Sequence, residues 1–142
     1  MKDSATQGQA SAEVQAGMPI QTEEELNLVK HYLLLRVAVQ ILDHDIGVAG
    51  ASPMKLPRLY ESILRALQDR VLLEQAAAKR QMRSSGIRIN QERRHAEGLS
   101  VQYAVRGYQH QFTMLWSVVR RESERLLGQY RQRLQPAASG RR

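Results

Sequence analysis

Lys79, Arg80, Arg83, Arg88, Arg93 and Arg94 fall within sixteen positions, 79 to 94, with Glu92 as the one acid among them. Cations at this density suit a polyanion, because they neutralise phosphates and release the counterions condensed on them. Arg120, Arg121 and Arg125, further along, extend the same basic character. Helix ends and hairpins also carry lysine and arginine simply to stay solvated, so the segment marks a candidate surface rather than a specific site.

The other reactive groups do not converge. Asp43-His44-Asp45 offers carboxylates and an imidazole, but consecutive residues of a helix point in different directions and cannot all ligate one ion. His31, His95 and His110 are scattered, and His110, in the Gly107-Tyr108-Gln109-His110-Gln111-Phe112 stretch, is expected to stack in a corner rather than act as a base. Trp116 is expected as a core or interface anchor. The chain has no Gly-x-Gly-x-x-Gly, phosphate loop, Gly-x-Ser-x-Gly or His-Glu-x-x-His, so no enzyme, cofactor or metal is expected.

The net charge is +7, and it is unevenly placed. Residues 1–50 hold three Lys/Arg and seven Asp/Glu, so the positive balance lies wholly in residues 51–142. Absence of cysteine removes disulfides, thiolate nucleophiles and thiolate zinc sites, and favours a reducing compartment. The densest apolar segment, Leu26 to Ile46, carries Lys30, Arg36, Asp43 and Asp45, which excludes a membrane span. Residues 1–20 contain no apolar run that fits a signal peptide, and a cytoplasmic location is expected.

The elements that must position these residues follow from periodicity and punctuation. Residues 1–20, rich in Ala, Gln, Ser and Gly, are expected to be a disordered tail, residues 21–134 a single α+β domain, and residues 135–142 a flexible basic tail. Thr22 and Glu25 form a capping-box pattern that starts a helix running to about Ile46. Leu26, Val29, Leu33 and Val37 mark one face of it, and Leu28, Tyr32, Leu35, Val39 and Leu42 an adjoining one. Two apolar faces fit either a central helix or a dimer interface built on the second set.

Pro57 sets the start of a second helix, with Leu56, Leu59, Tyr60, Ile63, Leu67 and Val71 inward, and Ser84-Ser85-Gly86 stops it. Alternation over Ile87 to Asn90 and Leu99 to Arg106 predicts a β-hairpin whose outer row is Arg88, Asn90, Glu92, Arg94, Ser100, Gln102 and Arg106. Gly107 permits a bend, and a last helix is predicted over about Phe112 to Leu134, with Leu115, Val118, Val119, Leu126, Tyr130 and Leu134 inward.

The expected fold is therefore α+β, mostly helical, in the order α-α-β-β-α with the hairpin covered by helices. The expected function is that of a small basic nucleic-acid-binding accessory or regulatory protein with little sequence preference. The alternative is a homodimeric protein-interaction or adaptor module.

Overall fold

A computed structural model of the chain describes residues 21–134. The expectations for residues 1–20 and 135–142 lie outside them. The capping box forms as its spacing requires: Thr22 N donates to Glu25 Oε1 at 2.9 Å, and Glu25 N donates to Thr22 Oγ1 at 3.0 Å. It opens α1 (Glu23–Gly50), which runs four residues beyond Ile46 before the chain turns. Pro57, whose missing N–H costs nothing in a first turn, opens α2 (Pro57–Ser84). Three strands follow, β1 (Ile87–Arg94), β2 (Gly98–Val105) and β3 (Tyr108–Leu115), then α3 (Trp116–Arg133). The helices hold 28, 28 and 18 residues, so the fold is α+β and mostly helical.

The order is α-α-β-β-β-α, with one strand more than the sequence pattern predicts. The last helix begins at Trp116, not Phe112, because Tyr108, His110, Phe112 and Met114 alternate with Gln109, Gln111 and Thr113 at period two. What reads as a bend at Gly107 is a two-residue hairpin turn. Val105 pairs with Tyr108, and the residues between, Arg106 and Gly107, have φ of 50° and 91°. Two left-handed central residues are what a tight hairpin of matching twist needs, and glycine supplies one at no steric cost.

The described residues gather into two compact units. The first, residues 21–31 with 78–121, contains the antiparallel sheet in the order β1-β2-β3. Its inner face is built on Leu99, Val101, Tyr103 and Val105 of β2, all at most 2% exposed, flanked by Ile87 of β1 and by His110, Phe112 and Met114 of β3. Tyr103 Oη donates to Gln21 Oε1 at 2.7 Å, and Lys30 Nζ sits 5.7 Å from the Phe112 ring centroid, so the start of α1 closes this face.

The second unit, residues 32–77 with 122–134, is helical. Val37, Leu33, Tyr32, Leu35 and Leu42 of α1 are all buried, whereas Leu28, which belongs to the first unit, and Val39 are half-buried. The two apolar faces of α1 are thus covered within a single chain along most of their length, as a central helix requires. Tyr32, Leu35 and Leu42 are not open to a second copy. Gln68 Nε2 ties α2 to α1, donating to Val39 O at 3.2 Å and to Asp43 Oδ1 at 2.7 Å.

The inward stripe predicted for α2 is buried only in part. Leu67 and Val71 are in the core, but Leu56, Leu59, Tyr60 and Ile63 are exposed. In α3, Val119 and Tyr130 are buried, Val118 and Leu126 half-buried, and Leu134 exposed; Leu115, expected with them, is a half-buried strand residue.

Candidate nucleic-acid interface

The sheet alternates, so residues registered with Ser100, Gln102 and Ala104 share its outer face. Arg88 pairs with Ala104, Gln91 with Gln102 and Arg93 with Ser100, while Gln109, Gln111 and Thr113 occupy the same rows on β3. Asn90 sits in a β-bulge between Ile89 and Gln91, and its Nδ2 reaches over the small Ala104 to donate to Gln109 Oε1 at 2.9 Å. Ser100 and Thr113 hydroxyls are 2.9 Å apart on the next strands. The result is an exposed face of two guanidinium groups, amides and hydroxyls with no carboxylate among them.

The bulge also changes which hairpin residues look outward. One extra residue inverts the alternation beyond it. Glu92, registered with Val101, and Arg94, registered with Leu99, therefore belong to the inner side, and Gln91 and Arg93 replace them outside. Arg106, expected in the outer row, is in the turn. Its Nη1 donates to Glu25 Oε2 at 2.6 Å and to Ser85 O at 3.2 Å, and its Nη2 to Glu25 Oε1 at 3.1 Å.

The nine cations singled out in the sequence do not converge on one face. Arg88 and Arg93 share the outer sheet face. Arg94 lies with its guanidinium 5.8 Å from the Trp116 ring centroid. Lys79, Arg80 and Arg83 are exposed on the side of α2 turned away from buried Ala78 and Met82. Arg120 and Arg121 are exposed on the first turns of α3. Arg125 belongs to the second unit and pairs with Glu122 Oε1 at 3.0 Å.

Trp116 acts as an anchor. Its N–H donates to Glu97 O at 3.0 Å and its indole Nε1 to His95 O at 2.7 Å, which fixes the β1–β2 turn. His110 stacks on Tyr103 with centroids 5.5 Å apart, buried, and neither ring nitrogen has a hydrogen-bond partner. Burial holds the His110 pKa below its ordinary value, against the pull of the Glu25 charge. Arg106 in turn holds the Glu25 carboxyl below the usual carboxylate range, and burial pushes the Tyr103 hydroxyl up to about 12. Burial also lowers the Lys30 pKa. Sequence reasoning missed this cluster because Glu25 and Arg106 lie 81 residues apart and no local pattern joins them.

Asp43, His44 and Asp45 are all exposed; His44 Nδ1 lies 3.1 Å from Asp45 Oδ1, and Asp43 is occupied by Gln68. Among the described residues, no group of three or more His, Cys, Asp or Glu is placed to hold a metal ion. No helix among them is long and apolar enough to cross a membrane. Compared with known proteins, no curated protein and no solved structure matches the chain, whereas residues 20–135 match the model of a protein family described as YhjD protein.

Proposed function

This chain belongs to the YhjD protein family, and from that footing we propose that it is a non-enzymatic, cytoplasmic accessory or regulatory protein that binds nucleic acid on the outer face of its sheet. The observation that carries this reading is the carboxylate-free face on which Arg88 and Arg93 flank a field of amides. Arg88 and Arg93 stand opposite Ala104 and Ser100, four β2 positions apart, or about 13 Å at the rise of a strand. That spacing lets both guanidinium groups engage phosphates of one strand. Asn90, Gln91, Gln102, Gln109 and Gln111 offer donors and acceptors to sugar and phosphate oxygens, which position a backbone without reading its sequence. The face holds no aromatic ring, so bases have no platform to stack on and sequence preference is weak.

The test is fluorescence anisotropy with labelled single- and double-stranded oligonucleotides at low salt. Arg88→Glu with Arg93→Glu abolishes the signal, whereas Arg80→Glu with Arg83→Glu, on α2, leaves most of it. Equal binding by the wild type and the sheet variant, both folded by circular dichroism, refutes the reading.

A further inference from the structure

The inward stripe of α2 runs past its cover. Tyr60, Ile63, Leu67 and Val71 recur at intervals of three and four on one side of the helix, yet Leu67 and Val71 are buried while Tyr60 and Ile63 are 44% and 47% exposed. Tyr60 and Ile63, with Val48 near the end of α1 and Met54 in the connecting loop, line an open groove of about 310 Å³. Leu56 and Leu59 are exposed beside it. We propose that this groove is the self-association surface of the protein, filled by the same groove of a second copy in a two-fold dimer.

Three observations select a second copy as the occupant. Val48, Met54, Leu56, Leu59, Tyr60 and Ile63 around the groove are 44–57% exposed, which leaves roughly 550 Å² open on each copy, so two facing copies would bury about 1,100 Å², enough to clear the ~1,000 Å² of a specific interface. The rim is self-complementary: Asp45 lines the groove from the α1 side, and Lys55, in the connecting loop, and Arg58, in the first turn of α2, are exposed. A two-fold axis can bring each charge of one copy to its opposite in the other, which is what an isologous contact demands. Residues 135–142, Gln-Pro-Ala-Ala-Ser-Gly-Arg-Arg, hold no large apolar side chain that suits such a groove, and in residues 1–20 only Met1, Val14, Met18 and Ile20 do.

Sedimentation velocity of the full chain across a concentration series reads the outcome. The expected species has twice the 16.2 kDa mass of the chain, and Leu59→Glu with Ile63→Glu raises its dissociation constant at least ~100-fold while circular dichroism is unchanged. Because the chain has no cysteine, Tyr60→Cys gives a clean second readout. A thiol cross-linker joins two Tyr60→Cys chains but not two Leu73→Cys chains, Leu73 being 65% exposed on another side of α2. A monomer at all concentrations overturns the proposal, whether another protein or the chain's own N-terminal residues fill the groove. A dimer indifferent to the paired substitution overturns it too.

Discussion

His110 is the most instructive single residue of the sheet, because its stacking on Tyr103 leaves two polar ring atoms buried and unpartnered. Each such atom forfeits its hydration without replacement. His110→Phe keeps the stack and removes both atoms, and is expected to stabilise the protein by about 1 kcal/mol at pH 7, read from urea denaturation. The same residue sets an acid limb. A base whose folded pKa is lowered takes up its proton in the unfolded chain first, so stability falls as pH drops below the ordinary histidine value of about 6.5. Glu25 acts in a separate window. Its depressed pKa contributes stability above the ordinary carboxylate value of 4.5, and this is lost as pH falls through the lower folded value. In His110→Phe the first limb is expected to flatten and the second to remain. A variant that loses stability at pH 7 while keeping both limbs would show that the ring nitrogens are satisfied.

At the scale of elements, close approach rather than propensity fixes the sheet. A Cβ built on Gly98 would lie 2.2 Å from the backbone O of Met114 and 3.0 Å from the Cα of Leu115, with which Gly98 is registered. Backbone cannot yield as a flexible side chain can. Gly98→Ala is expected to cost about 2–3 kcal/mol by overpacking. Gly128→Ala, in the interior of α3 with nothing within 4 Å of its Cβ position, is expected to stabilise by about 1 kcal/mol from helix propensity. Thermal melts of the two variants should therefore shift in opposite directions, and a shift of the same sign would refute the local account of Gly98. The elements with local signals were legible in the sequence: Thr22-x-x-Glu25, Pro57, the Ser84-Ser85-Gly86 stop and the alternation of β1 and β2. The third strand was hidden because Arg106 is an unusual residue for a left-handed turn position, tolerated here where Glu25 and Ser85 hold its side chain. The outer row was misphased because nothing in Asn90 itself announces a bulge. The exposed half of the α2 stripe was invisible for a different reason, since a helix's own periodicity does not say how far its neighbours extend.

Across the whole molecule, charge and apolar exposure separate. Residues 21–31 with 78–121 carry ten Lys/Arg against five Asp/Glu, whereas residues 32–77 with 122–134 carry eight against seven and hold the open apolar groove. The proposed nucleic-acid partner belongs to the first of these surfaces and the proposed second copy to the other. Salt dependence tests the nucleic-acid reading most directly, because counterion release leaves a slope that no uncharged contact can imitate. With Arg88 and Arg93 each neutralising one phosphate, the logarithm of duplex affinity against the logarithm of salt is expected to fall with a slope near −2, and to flatten in the Arg88→Glu, Arg93→Glu variant. A wild-type affinity that does not change with salt, or a slope that the variant retains in full, would contradict binding through the outer face of the sheet.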